Sequence, residues 1–179
     1  MAHNLHHTMA LLDRTPATLD ALLRGLPETW THHNEGEGTF TVVDVVGHLI
    51  HADKADWMPR VRMILEFGES KPFDPFDRWG HVEICRGKSL PQLLDEFAQV
   101  RAGCLEELRA LHLQPEQLKL RGRHPALGQV TLSNLLATWA AHDLTHLHQV
   151  SRIMAHQYRD EVGPFVAFLG VLKCNGHGG

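Results

Sequence analysis

One stretch of the chain, residues 131–157, combines the spacing of a long amphipathic helix with two histidines inside its apolar face. His142 and His146 are one helical turn apart, about 6 Å of rise, so both imidazoles can face one point. Burying two imidazoles among apolar side chains is costly unless something satisfies them, and a shared metal ion would do so. The stretch therefore predicts a helix that supplies two metal ligands. The apolar residues of its stripe recur at intervals of three and four: Leu132, Leu135, Leu136, Trp139, Leu147, Val150, Ile153 and Met154.

Length and charge narrow the class of protein. A chain of 179 residues is sufficient for one domain with a substantial core, and we expect a single domain over residues 1–179. A formal net charge of −4 without a basic cluster argues against a nucleic-acid partner. No apolar run approaches the roughly 20 residues that span a bilayer, and the N-terminus lacks the pattern of a signal peptide. We therefore expect a cytoplasmic protein without a membrane partner.

Four long amphipathic segments predict an all-α four-helix bundle. They cover residues 4–26 with a restart at Thr15-Pro16, 42–67 with a kink at Pro59, 90–111, and 131–157. Thr41 and Ser89 are predicted to cap the second and third helices. We expect long connections at 68–89 and 112–130, an extended piece near residues 118–121, and a short extra C-terminal helix within residues 162–172. Aromatic residues of the first connection should pack over one end of the bundle: Phe73, Phe76 and Trp79.

A third metal ligand is expected from the second helix. A catalytic zinc site commonly has three protein ligands and leaves a fourth position for water or substrate. His48 in VVGHLIHAD is the mid-helix histidine nearest an apolar face, and His51 is its rival. The competing interpretation is a pair of core histidines hydrogen-bonded to their neighbours. A pair on one apolar face, with a third mid-helix histidine available, favours the metal interpretation.

Two segments, HLIHAD at residues 48–53 and WAAHDLTHL at residues 139–147, resemble the DinB-like (YfiT-like) metalloenzyme superfamily. Residues 34–65 and the FDPFDR loop at 73–78 are similar to one branch of it, and the resemblance covers nearly the whole chain. It implies a four-helix bundle, often a homodimer, that holds one divalent metal ion, zinc or nickel in many members. Carried over to this sequence, the three ligands are His48, His142 and His146.

The resemblance further implies a transferase that acts with a low-molecular-weight thiol on an electrophilic small molecule. The chemistry of the residues fits, because three neutral histidines leave the full charge of the ion to lower the pKa of a thiol. The same ion could activate water, so a metal-dependent hydrolase is an alternative. A non-catalytic metal-binding stress-response protein is another.

Two other metal motifs fit less well. HDLTH at residues 142–146 resembles the zincin HExxH with a shorter acid, but no further ligand follows at a familiar spacing. His142-Asp143 resembles an HD-domain phosphohydrolase pair, a scheme in which His146 has no role.

Several neighbouring residues are expected to support the site or the core rather than bind metal. Asp143 points about 100° away from His142 on the helix, which favours a salt bridge. Trp139 is interpreted as core. Gln149 and Arg152 could each face a pocket or solvent. Phe76 and Arg78 could contact a substrate, but simple packing is favoured for both. His51 and His148 are expected near the site or on the surface.

Overall fold

The computed structural model of the chain describes residues 3–174. The predicted domain of 1–179 thus has its extreme ends outside the described residues. The α-helices are α1 (Leu5–Leu12), α2 (Thr15–Leu23), α3 (Glu28–Thr31), α4 (Val42–Ala52), α5 (Met58–Phe67), α6 (His81–Cys85), α7 (Leu90–Ala110) and α8 (Leu132–His156). A two-stranded antiparallel hairpin, β1 (Arg121–His124) and β2 (Gly128–Thr131), precedes α8. None of the helices in this described part is long and apolar enough to cross a membrane.

The bundle is built from the paired α1 and α2, the α4–α5 segment, α7 and α8, which confirms the predicted helical architecture. The α4 helix packs against α7 and α8, while α1 and α2 pack against α8 and α7. One part of the core surrounds Trp139 and Trp57, and another surrounds Phe97 and Val150. The stripe of α8 thus faces inward over most of its length.

The predicted helix starts are confirmed by their capping contacts. The amide of Asp44 donates to Thr41 Oγ1 at 3.1 Å, and the Thr41 amide donates back to the Asp44 carboxylate at 2.9 Å. Thr131, for which no cap was predicted, makes the same reciprocal pair with Asn134 at the start of α8. At α7, the Ser89 amide donates to Gln92 Oε1 at 2.8 Å. These contacts fix where α4 and α8, the helices with the candidate ligands, begin.

A π-helical turn, Asp53–Trp57, joins α4 to α5 just before Pro59, the position of the predicted kink. Pro59 lies in the first turn of α5 and has no amide proton, so it cannot continue the hydrogen-bond ladder of an α-helix. Such wider turns are frequent at functional sites. Here the turn buries Asp53, Asp56 and Trp57.

The hairpin is a difference from the prediction of a strand-free chain with one extended piece near residues 118–121. Residues 117–119 form a 3₁₀ turn, and the paired strands begin at Arg121. These strands are four residues long and lack an alternating apolar pattern, so periodicity does not reveal them. Gly122 lets the hairpin approach α5, because a Cβ there would lie 2.7 Å from Ile64 Cγ1 and 2.8 Å from Phe73 Cζ.

The predicted short C-terminal helix is present in the form of 3₁₀ helices rather than one α-helix. Residues 162–172 contain two 3₁₀ helices, Gly163–Phe168 and Gly170–Leu172. Phe165 and Phe168 are 72% and 85% exposed, so these rings do not extend the core. In the 68–89 connection, Phe73 is buried and Phe76 half-buried as expected, whereas Trp79 is exposed.

Candidate metal centre

The imidazoles of His48, His142 and His146 meet inside the bundle. His142 Nε2 lies 3.2 Å from His48 Nε2 and 3.0 Å from His146 Nε2. One ring nitrogen from each of the three residues lies within 4.8 Å of the other two, and His51 is not part of the group. The middle of α4 therefore supplies one histidine and α8 the other two, although the spacing along the sequence predicts only that His142 and His146 face one point.

Packing around the three rings holds them in place. The His48 ring lies between Phe40 and Phe76, with ring centroids 5.8 and 5.7 Å away. The rings of His142 and Trp57 make a T-shaped contact, with their centroids 5.1 Å apart. His48 and His146 are only 6% and 4% exposed. The apolar walls limit the rotamers of the rings and keep their Nε2 atoms directed at a common point.

Burial keeps the three imidazoles neutral. Burial, with the neighbouring histidines, lowers the pKa of His48 to about 3 and that of His142 to about 2. Burial also lowers the pKa of His146, against opposing effects of its hydrogen bond to Gln149 and the charge of Asp143. Neutral imidazole is the form that binds a metal ion, so all three residues are ready as ligands near neutral pH.

The proton count at the three Nε2 atoms shows why an ion fits. His146 Nδ1 donates to Gln149 Oε1 at 2.7 Å, which leaves His146 Nε2 without a proton. A neutral His142 has at most one proton on Nε2, so it cannot donate to both of its neighbours. The two close contacts between the Nε2 atoms therefore cannot both be hydrogen bonds, because too few protons lie between the rings.

The distances also fit a metal. Two nitrogens that are each about 2.05 Å from a tetrahedral zinc ion lie about 3.3 Å apart. The Nε2 separations from His142 to His146 and to His48, 3.0 and 3.2 Å, are close to that value. Gln149 provides the second hydrogen bond that metal-binding histidines commonly make through their other nitrogen. The donor set and its support thus suit one divalent ion.

The three histidines lie at the base of a cavity of about 660 Å³. The π-turn and α5 form one wall, the 68–89 connection another, and the hairpin a third. The cavity is large enough for a small organic molecule beside the ion. Its other lining residues are mixed in character: Ala52, Asp56, Trp57, Arg60, Pro75, Phe76, Arg78, His124, Pro125, Ala126, Thr145 and Gln149.

A buried network of ion pairs reaches Asp143, the residue next to His142 in the chain. Arg101 Nε donates to Asp53 Oδ2 at 2.7 Å, and Arg101 Nη1 donates to Asp143 Oδ2 at 2.5 Å. Trp139 Nε1 also donates to Asp53, at 3.1 Å. Although burial alone would lower it, the two carboxylates raise the pKa of Arg101. The predicted salt bridge of Asp143 and core position of Trp139 are confirmed.

Two residues near the histidines in the sequence, Arg152 and His51, bond to residues outside the three-histidine cluster. Arg152 is buried and pairs with Glu35 at 2.7 Å, so it links α8 to the loop before α4 rather than facing the cavity. His51 forms a hydrogen bond with the Asp77 carbonyl at 2.9 Å. The sequence did not single out Asp56, Arg60 or His124. Asp56 and Arg60 are four residues apart in the sequence, as in a helical ion pair, but such pairs are common on helix surfaces.

The fold and the site together define a helical-bundle protein with three converging histidines at the base of a cavity. The chain belongs to the DinB superfamily, whose family model matches residues 11–150. It is similar in structure to YfiT from Bacillus subtilis, described as a probable metal-dependent hydrolase with an unusual four-helix bundle topology. The TM-score is 0.71 at 20% identity, over 88% of this chain and 87% of YfiT. No curated protein sequence matches the chain.

Proposed function

We propose that the protein is an enzyme that binds one divalent metal ion, zinc or nickel, through His48, His142 and His146. The observation that carries the proposal is the convergence of three neutral imidazoles at the base of a cavity, with His48 and His146 buried and His142 half-buried. A merely structural zinc site has four protein ligands, whereas three ligands leave a position for another molecule. Among the described residues, the cluster contains no fourth histidine, cysteine or carboxylate.

The reaction we propose is transfer of a low-molecular-weight thiol to an electrophilic small molecule. When bound, the ion would supply a positive charge that lowers the pKa of the thiol. None of the described cysteines, Cys85, Cys104 and Cys174, lines the cavity, and burial raises the pKa of Cys85 and of Cys104 to about 11. The thiol therefore comes from a co-substrate, and the cavity has room for both partners.

The residues of this chain would hold and orient the reactants. Gln149 keeps the proton of His146 on Nδ1, so that Nε2 faces the reaction centre. Trp57 and Phe76 provide apolar surface beside the histidines, which excludes water from the reacting atoms. The family resemblance motivates the choice of a thiol as nucleophile, and a homodimer is proposed on the same basis.

A metal-dependent hydrolase is the second candidate, favoured by the likeness to YfiT and by Asp56 in the cavity lining. Burial raises the pKa of Asp56, although Arg60 opposes this shift. A raised pKa suits a general base better than an ordinary carboxylate near neutral pH. The ion pair of Asp56 with Arg60 at 2.8 Å reduces its freedom to accept a proton. We therefore place hydrolysis second.

The test compares zinc-loaded and nickel-loaded protein with metal-free protein and with His146→Ala. Each sample is incubated with a panel of small thiols and chlorodinitrobenzene, and loss of thiol is followed alongside hydrolysis of a panel of esters and amides. We expect metal-dependent thiol consumption that His146→Ala removes. Hydrolysis without thiol transfer would overturn the transferase in favour of the hydrolase. Neither activity above metal-free protein would favour a non-catalytic metal-binding role.

A further inference from the structure

The lining of the cavity carries an uncompensated positive charge. Its described charged residues are Arg60, Arg78 and one carboxylate, Asp56. Arg60 Nη2 lies 2.8 Å from Asp56 Oδ1, so these two charges balance each other. None of the described residues forms an ion pair or side-chain hydrogen bond with the guanidinium of Arg78. A divalent ion on three neutral histidines would add further positive charge, so a negatively charged ligand is favoured on electrostatic grounds.

The backbone around Arg78 is held on both sides. The carbonyl of Asp77 bonds to His51 Nε2 at 2.9 Å, and Asp77 Oδ1 accepts from the Trp79 amide at 2.9 Å. The carbonyl of Arg78 itself bonds to His81 Nδ1 at 3.1 Å. The backbone of Arg78 is therefore fixed in the cavity wall, while the residue itself is exposed. Its charge also acts on His48, whose pKa is lowered first by burial, then by neighbouring histidines and Arg78.

His124 supplies a second donor on the neighbouring wall. Its Nδ1 accepts hydrogen bonds from the amides of Ala126 and Leu127, both at 3.1 Å. The neutral ring must then carry its proton on Nε2, for which no partner exists among the described residues. The Phe73 amide donates to the Arg123 carbonyl at 2.9 Å and so connects the hairpin to the 68–89 connection. Arg78 and His124 thus lie on two walls that are tied together.

We propose that Arg78 and the Nε2–H of His124 form an anion subsite that binds a carboxylate of the substrate. The substrate class is a short organic acid whose reacting end lies at the three histidines. Its carbon chain would pack against Trp57 and Phe76, which line the same cavity. The inference rests on the proposed function in one respect, because it requires an open coordination position on the bound ion.

Matched metal-binding probes test the subsite without relying on catalysis. Succinic monohydroxamic acid and butyrohydroxamic acid share a metal-binding hydroxamate and a four-carbon skeleton, but only the first ends in a carboxylate. Calorimetric titration of zinc-loaded protein should show at least about tenfold tighter binding of the carboxylate probe, since hydrogen bonds to charged groups are strong. Arg78→Gln should bring the two affinities within about threefold while leaving butyrohydroxamate binding unchanged.

Two further variants complete the experiment. Arg86→Gln is the matched control, because Arg86 is exposed, pairs with Glu83 and lies outside the cavity lining. It should retain the full preference for the carboxylate probe. His124→Phe should reduce the preference by about threefold, as expected for loss of one neutral donor. An unchanged preference in His124→Phe would overturn the role of His124 as second donor.

The outcomes separate failure of the subsite from failure of the proposed function. Equal binding of the two hydroxamates by wild type, or a preference that survives Arg78→Gln, overturns the subsite and leaves the open metal site intact. Binding of neither probe by zinc-loaded protein overturns both, since no coordination position would then be open to a ligand.

Discussion

Gln149 decides which nitrogen of His146 carries the proton. Its Oε1 accepts from His146 Nδ1 at 2.7 Å, three residues along the same helix. This bond fixes the ring orientation and frees Nε2 for a metal ion. His48 and His142 have no hydrogen bond at Nδ1, so only packing holds that side of each ring. Among the described residues, Gln149 is therefore the one side chain outside the three histidines that forms a hydrogen bond with any of their rings.

Gln149→Ala should weaken zinc binding by about 10- to 100-fold, the usual effect of losing a hydrogen bond to a metal-binding histidine. Competition with a chromophoric chelator measures the affinity. Gln157→Ala is the control, because Gln157 bonds to the Ile153 carbonyl on the same helix. A Gln149→Ala affinity within about threefold of wild type would show that packing suffices to orient His146.

Arg101 joins several elements of the bundle. On α7, its guanidinium binds Asp53 of the π-turn, Asp143 of α8 and the Leu12 carbonyl at the end of α1. Arg101 and the two carboxylates are almost completely buried. Because Asp143 is next to His142, this network sets the rotation of α8 that aims His142 at the cavity.

Arg101→Met should lower the free energy of unfolding by about 3–5 kcal/mol, because it leaves two buried carboxylates without their partner. Urea unfolding of metal-free protein measures the change. Arg62→Met is the matched control: Arg62 binds Glu107 through two bonds of 2.6 Å, but at the surface. It should cost about 1 kcal/mol or less. Equal losses in the two variants would contradict a special role for the buried network.

Local patterns predict the helices and the ligands because both depend on short spacings. The 3.6-residue period of α8 and the four-residue step from His142 to His146 are visible in the sequence, as are the caps at Thr41 and Ser89. The convergence of His48 with them agrees with the ligand set that the resemblance implies. Metal binding itself stays a prediction.

The cavity could not be predicted in the same way. Its walls bring together residues near 56, 76 and 124, which are far apart in the chain and share no periodic pattern. The Asp53–Arg101–Asp143 network likewise depends on tertiary packing. Nothing in the sequence of α7 distinguishes the buried Arg101 from an arginine on the surface of a helix. The hairpin escaped prediction because its strands are too short to alternate.

The pH dependence of stability is a property of the whole molecule. His48 and His142 have a folded-state pKa near 3 and 2, whereas an unfolded histidine titrates near 6.5. Between these values only the unfolded chain takes up protons, so the folded state loses stability as the pH falls below about 6.5. Above about 6.5 both states are neutral and this stability is fully present.

Metal-free protein should therefore lose stability faster than a His48→Asn/His142→Asn variant as the pH falls from 6.5 towards 4.5. Each histidine contributes about 1.4 kcal/mol per pH unit, so the slopes should differ by about 2 to 3 kcal/mol per unit. Urea unfolding at a series of pH values gives both slopes. Parallel slopes would mean that the two imidazoles are not held neutral in the folded state.

The measurement that tests the central claim most directly is the metal content of the purified protein. Elemental analysis after gel filtration should find about one divalent ion per chain in wild type, as expected for one three-histidine site. His146→Ala should lose most of it. His51→Ala should keep it, because His51 lies on the same helix as His48 but outside the cluster. Equally little metal in wild type and His146→Ala would contradict the assignment of His48, His142 and His146 as a metal site.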